Sequence, residues 1–407
     1  MNEESKFLKG FLVGLIVAAA SAAILIFFAR DYIFSQPESE TSSGSNQEEE
    51  ALKAFNRKLG NAMAYIKKYY YEDVDVKVLY EGALDGMMAA LGDPYSCYYN
   101  AAETEALKQA TDGSYVGIGC YVAVPLDSND IVVVSVMEDS PAEKAGLLPD
   151  DIMIAVDGRS IVDMDLDYAL SFVRGVEGTQ VVITIKRDNK TLDLTMTRAK
   201  IEQRVVTYKM LDDGIGYIYL AAFYKNATDE IKEALADMEK QGMQKLIIDL
   251  RDDPGGLYDT AIEVLDIMLD KGLLAAYTED NKGKQSKSYT KDTDKFEKPL
   301  AILINGNSAS ASELFTQAMR DYEKATVIGT RSYGKGVYQS MYYLVEDFSS
   351  IKLTGGKYYS PKGICIHEVG IEPDIVVELD EGLEKESILK RTRDNQLDAA
   401  IEYLKTK

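Results

Sequence analysis

Three short segments carry residues whose types and spacing can do chemistry. Arg251-Asp252-Asp253-Pro254-Gly255-Gly256 follows the apolar run KLIIDL, Asn305 to Ser312 (NGNSASAS) follows LAILI, and Ser332-Tyr333-Gly334-Lys335-Gly336 follows ATVIGT. Each stands where a strand pattern gives way, which is where α/β sheets build their sites. A serine at the opening turn of a helix lies beside backbone N–H groups without helical partners, and such donors can hold an oxyanion. Serine is equally a favoured N-cap, and the alternating Ser308, Ser310 and Ser312 leave the nucleophile open. A serine hydroxyl also needs a base. His367 is the one histidine and lies in the extended, turn-rich stretch CIHEVGIEPD, which suits a Ser-His-Asp triad poorly. The remaining option is a lysine whose pKa falls on desolvation. Lys335 is flanked by Gly334 and Gly336, which lets it approach closely; the competing reading is a solvated loop lysine. Residues 329–335 (GTRSYGK) fit half of a phosphate-binding loop. Gly336 stands where the magnesium-binding Ser or Thr belongs, and the strand-like VYQSMYYLV follows where a helix is required, which disfavours a nucleotide.

The elements that must position these segments alternate. From about Gly214 the chain reads YIYLAAF (strand), a helix opening near Thr228-Asp229-Glu230, KLIIDLR (strand), LYDTAIEVLDIMLDKG (helix), LAILING (strand), SASELFTQAMRDY (helix) and ATVIGT (strand). That alternation predicts a sheet covered by helices. Residues 114–198 have another texture, about five short strands with two short helices, and read as a compact module. Residues 51–110 read as helical, with Leu52, Phe55, Leu59, Met63, Ile66 and Tyr69 forming one apolar stripe and LGDPYSCYYN (91–100) breaking the pattern. The tail after Leu383 reads as a charged helix.

The N-terminal part is of a different kind. Gly10–Ala29 is a run of twenty residues without a charge, which at helical rise spans roughly 30 Å of hydrocarbon. Lys6 and Lys9 precede it and Arg30 follows, which puts the N-terminus in the cytoplasm. A cleaved signal peptide is the rival reading, but the run is long for one and no small-x-small site follows. Residues 31–50, polar and acidic, read as a flexible stalk. The chain of 407 residues carries a net charge of −22, which disfavours a nucleic-acid partner. Three scattered cysteines, Cys97, Cys120 and Cys365, with no CxxC, HExxH or Cys/His cluster, give neither a disulfide framework nor a zinc site and read as buried thiols.

NSASASE, followed by SYGKGVYQ with Lys335 twenty-five residues after Ser310, resembles the signature of the carboxyl-terminal processing peptidases, the tail-specific serine proteases of family S41 with a Ser/Lys catalytic pair. DLRDDPGG resembles their oxyanion-side glycine loop, LGDPYS the end of their N-terminal helical region, and KLTGGKYYSPKG with GIEPDI their C-terminal β segment. VGIG, SPAEKAGL and DIMIAVDG resemble their PDZ domain. The resemblance implies Ser310 as nucleophile, Lys335 as general base, Gln339 orienting the lysine, and the N–H groups of Gly256 and Ala311 as oxyanion donors. Gly117-Ile118-Gly119 matches the loop that holds a peptide's C-terminal carboxylate. No metal or organic cofactor is implied. Expected partners are protein substrates with accessible C-termini, the lipid bilayer through residues 10–29, and, from the resemblance and the apolar stripe, a second copy of the chain; the stripe is alternatively core.

Five positions depart from the family pattern: Asn307 for glycine, Asp252-Asp253 for the commoner asparagines, Asp150 for glycine and Tyr338 for a smaller residue. Buried carboxylates at 252–253 would raise the Lys335 pKa. The expected architecture is α/β and multidomain: a cytoplasmic N-terminus (1–9), a transmembrane helix (10–29), the stalk, an N-terminal helical region (51–113), a PDZ-like β module (114–198), an α/β peptidase core with helices packed on a sheet (199–382) and a helical tail (383–407). The expected function is a membrane-anchored extracytoplasmic serine endopeptidase; the alternative is an inactive PDZ scaffold tethered to the membrane.

Overall fold

A computed structural model describes residues 45–125, 128–164, 166–188, 190–291, 296–383, 388 and 394–407. The Gly10–Ala29 run lies outside them, and among the described residues no helix is long and apolar enough to cross a membrane.

Helix α1 spans Ser45–Tyr69. The stalk expected to reach residue 50 therefore gives way to helix at Ser45, where Lys53 pairs with Glu49 at 2.7 Å and Glu50 at 3.7 Å across one turn. The apolar stripe is exposed at Leu52, Phe55, Ile66 and Tyr69 and half-buried at Leu59 and Met63. Helix α2 follows at Val76–Ala89.

Beyond α2 come strand β1 (Cys97–Tyr99), helix α3 (Ala101–Thr111) and strand β2 (Ser114–Gly117). Asn100 caps α3 in a capping box with Glu103. A small β module follows: β3 (Cys120–Ala123), β4 (Ile131–Val136), α4 (Pro141–Lys144), β5 (Ile152–Val156), β6 (Arg159–Ser160), α5 (Leu166–Val173), β7 (Gln180–Arg187) and β8 (Lys190–Thr197). Its sheet runs β3-β4-β5-β7-β8, antiparallel. Alternate residues of β7, Val181, Ile183 and Ile185, are fully buried, as a strand with one covered face requires. Asp150 takes φ 70°, the backbone that explains why glycine is commoner there. Strand β9 (Ala199–Glu202) pairs with β2.

The larger sheet has the order β10 (Val206–Met210), β11 (Ile215–Leu220), β12 (Lys245–Asp249), β15 (Leu300–Ile304), β16 (Thr326–Gly329), β19 (Ile375–Val376), parallel from β11 onward. All five residues of β15 are buried, the mark of a parallel strand covered on both faces. Helices α6 (Ala227–Lys240), α7 (Tyr258–Met268) and α8 (Ala311–Asp321) contribute to the core on one face, and Ala400 and Leu404 of α9 (Asn395–Lys405) to that on the other. A second sheet joins β1 to β18 (Ser350–Tyr359), β13 (Leu274–Asp280) and β14 (Gln285–Tyr289), with β17 (Val337–Tyr343) also on β18. The three cysteines are unpaired and half-buried rather than buried.

A charged knot ties α9 to the sheet. Arg251, fully buried just past β12, donates to Asp249 (Nε to Oδ1, 2.9 Å), Asp394 (2.8 Å) and Gln396 (3.0 Å), and the Tyr217 hydroxyl donates to Asp249 at 2.8 Å. Arg251→Met removes the cation and leaves the Asp249 and Asp394 carboxylates without it, so stability should fall by about 3–5 kcal/mol, measured by urea unfolding.

Candidate active site

The turn after β15 delivers Ser310 to the start of α8. Ser308 is buried, with its hydroxyl donating to Leu250 O at 2.7 Å, and Ser312 is buried, donating to Asp253 O at 3.0 Å. These two serines therefore serve the fold. Ser310 stands in the N-cap position with φ 56° and ψ −114°, not the extended backbone of a capping serine, and is the one serine among the described residues with positive φ. A left-handed non-glycine residue costs of order 1–3 kcal/mol and persists only when its surroundings over-determine it.

Glu313 supplies much of that determination. Its carboxylate, 1% exposed, accepts from Ser310 N–H (2.9 Å), Ser332 Oγ (2.5 Å), Gly334 N–H (2.7 Å) and Lys335 N–H (2.9 Å). Burial raises its pKa, and these four hydrogen bonds oppose the rise. The Tyr358 hydroxyl adds a second tie, 2.9 Å from Ser310 O and 2.6 Å from Lys335 O, its single proton shared between the two carbonyls. The Ser310 turn and the Lys335 loop are thus fixed to the same groups.

The glycine loop closes against them. A Cβ on Gly255 (φ 97°) would sit 2.6 Å from Ala309 O, 2.8 Å from Ala311 N and 2.9 Å from Ser310 Cβ. One on Gly256 would sit 2.4 Å from Phe223 O. Phe223 pins the loop, donating to Gly255 O at 2.9 Å and accepting from Leu257 N–H at 2.8 Å. Neither the Gly256 N–H nor the Ala311 N–H donates to an acceptor among the described residues.

Lys335 is half-buried. Burial, then the nearby Lys352, lowers its pKa from the usual lysine range, against opposing pulls from Asp93, Cys97 and Glu313. Its Nζ lies 4.9 Å from the centre of the Tyr95 ring, and no hydrogen bond joins it to the Ser310 hydroxyl in this structure. The flanking glycines serve contact with the 367–370 segment: a Cβ on Gly334 would meet Gly370 N at 2.9 Å, and one on Gly336 would meet His367 N at 2.5 Å. No hydrogen bond links His367 to Ser310, and its Nδ1 is buried without a partner among the described residues. Strand β17 begins at Val337, so no helix follows the glycine–lysine turn. The Gln339 amide reaches Thr354 Oγ1 at 3.5 Å and makes no hydrogen bond to Lys335. Ser310, Ala311, Gly256, Lys335 and Gln339 all line one cavity of about 570 Å³, together with Lys352 and Tyr358. Of the two acids thought able to raise the Lys335 pKa, Asp252 is exposed, and Asp253 is buried but is not among the charges acting on Lys335.

The family model of peptidase S41 matches residues 214–377, that of a PDZ domain residues 132–187, and that of the N-terminal domain of the activating protease CtpB residues 15–104. A probable CtpA-like serine protease of Staphylococcus saprophyticus is 36% identical over 370 residues, 90% of this chain and 73% of the relative. The chain belongs to peptidase family S41. Among solved structures, a putative S41 protease from Bacteroides fragilis covers 83% of this chain and 91% of its own at 17% identity and a TM-score of 0.52, which is a likeness of fold. The photosystem II D1 C-terminal processing protease is 28% identical, covering 77% and 85%, with a TM-score of 0.47.

In this S41 peptidase a second cavity, of about 300 Å³, lies between the β module and α3, lined by Gly117, Ile118 and Gly119 with Ala106, Tyr121 and Arg174. It adjoins β3, an edge strand of the module's sheet, the geometry on which an extended peptide can add a strand. A serine protease carrying a PDZ domain has proteins as substrates. Glu313, Tyr358, Tyr95 and Lys352 were not singled out from the sequence; for Glu313 the S-x-x-E spacing from Ser310, a capping-box pattern, was a usable signal.

Because a methyl on Gly255 meets three backbone or Cβ atoms and the residue has positive φ, Gly255→Ala should lower the unfolding free energy by about 2–4 kcal/mol. A shift in the urea midpoint, at unchanged far-UV circular dichroism, reads this out.

Proposed function

We propose that this chain is a membrane-anchored, extracytoplasmic endopeptidase that cleaves exported or membrane proteins selected by their C-terminal ends, with Ser310 as nucleophile and Lys335 as base. The observation that carries the reading is the strained backbone of Ser310, facing the same cavity as a half-buried lysine with a lowered pKa. In the reaction the neutral amine of Lys335 leaves the Tyr95 face, accepts a hydrogen bond from the Ser310 hydroxyl and takes its proton as Ser310 attacks the scissile carbonyl. Unliganded sites often hold such hydrogen bonds open until substrate arrives. The free N–H groups of Gly256 and Ala311 stabilise the developing oxyanion. Protonated Lys335 gives its proton to the leaving amine, and water completes deacylation. Gln339, on the strand that follows, steadies the lysine as it moves.

The Gly117–Gly119 loop receives the substrate's terminal carboxylate while its chain extends β3. The charge-free run Gly10–Ala29 anchors the protein, with residues 1–9 in the cytoplasm and the catalytic part outside. The full chain should degrade an unstructured protein such as casein. Ser310→Ala and Lys335→Ala should each lose at least a thousandfold in rate, on the scale of losing one member of a catalytic pair; equal proteolysis by all three would sink the assignment. Below the Lys335 pKa the wild-type rate should climb with pH, since only the neutral amine accepts a proton, and the midpoint should fall below the ordinary lysine value of about 10.4. Amidating a substrate's C-terminus should slow its cleavage, whereas unchanged rates would remove the carboxylate-reading role from the PDZ loop.

A further inference from the structure

Asp253 is a carboxyl group with nowhere to put a charge. It is 0% exposed, and its Oδ2 has no partner among the described residues. Its Oδ1 accepts from Gly255 N–H at 2.8 Å. Its main-chain oxygen accepts from Ala309 N–H and from Ser312 Oγ, each at 3.0 Å. One residue therefore fastens the glycine loop to both sides of Ser310. No ionisable group around it supplies a countercharge. Arg251 is taken up by Asp249 and Asp394. Asp252 is held by the amides of Asn305 and Asn307, each at 2.8 Å. Tyr219 on β11 is neutral, pushed up to about 12 chiefly by burial, and Glu313 on α8 is enclosed by its four donors. An ionised carboxylate with one bare, dry oxygen is far costlier than the protonated acid.

We propose that Asp253 serves this peptidase as an uncharged acid that holds the glycine loop against the opening turn of α8, and that the site stops working when the acid loses its proton. The inference rests on the reading of Ser310 as nucleophile and of Gly256 and Ala311 as oxyanion donors. Burial raises the Asp253 pKa well above the usual carboxylate range, while Gly255 N–H and Ser312 oppose the rise. Ionisation sets a negative charge two residues from Gly255 and three from Gly256, in a site where an oxyanion must form, and like charges in a dry site repel strongly. The pH–rate profile then has two limbs, a rise as Lys335 is freed of its proton and a fall as Asp253 gives up its own.

Asp253→Asn keeps an acceptor for Gly255 N–H and cannot ionise. Casein cleavage by the full chain should rise and then fall with pH in the wild type, and the fall should be absent in Asp253→Asn. Asp253→Ala, which also removes the acceptor, should be at least tenfold slower than the wild type at the wild-type pH optimum. Unfolding gives a readout independent of catalysis. A carboxyl raised in the folded state contributes stability that is complete below its unfolded pKa of about 3.9 and drains away as pH rises toward the folded value. The urea midpoint of Asp253→Asn should therefore gain on that of the wild type as pH rises from 4. Superimposable pH–rate profiles, a constant difference in midpoint, or an Asp253→Ala rate matching wild type would each overturn the proposal. Cleavage that survives Ser310→Ala would instead refute the nucleophile, and the unfolding arm would still decide on Asp253.

Discussion

The Glu313 carboxylate is the hinge-pin of this site. It is enclosed by protein, takes hydrogens from four donors, and those donors belong to both chain segments that carry the proposed chemistry. Because Glu313 lies in the first turn of α8, one turn beyond Ser310, the position of the Lys335 loop is referenced to the helix that also fixes the serine. Hydrogen bonds to a charged acceptor contribute about 1.5–3 kcal/mol each, which offsets the desolvation of a carboxylate and sustains the left-handed backbone of Ser310. Tyr358 repeats the arrangement from β18, with one hydroxyl between two carbonyls.

The sheet makes this convergence cheap. Strands β12, β15 and β16 are parallel neighbours, so their C-terminal ends emerge side by side. The loop of Asp253 to Gly256 follows β12, the Ser310 turn follows β15, and the Lys335 loop follows β16. Parallel order alone brings the three segments to one edge. The glycines settle how near they come, because any side chain on Gly255 would strike the Ser310 turn.

Much of this was legible in the residues themselves. The β-α alternation after Gly214 reads correctly because buried parallel strands such as LAILI are continuous apolar runs and the helices between them are amphipathic. The three loops were visible as breaks rich in glycine, serine and asparagine. Other features depend on contacts between distant segments. Tyr95 reaches the Lys335 amine from a loop 240 residues upstream, and nothing in LGDPYS announces that. The sequence leaves the burial of Asp253 open, and it is the Ala309 and Ser312 donors that draw it inside. Lys352 comes beside Lys335 only because β18 pairs with both β1 and β17. The apolar stripe on α1 shows a different limit: periodicity identifies the face but not what covers it, and Leu52, Phe55, Ile66 and Tyr69 are exposed.

The knot at Arg251 has a consequence for how the molecule is born. Its guanidinium stands at the head of the glycine loop, and two of its partners, Asp394 and Gln396, are encoded 143 and 145 residues later. Until that intervening stretch and α9 have been synthesised, the guanidinium has Asp249 but lacks two of its three side-chain partners. The contacts that fasten the head of the glycine loop are therefore complete only once the chain has been made through α9.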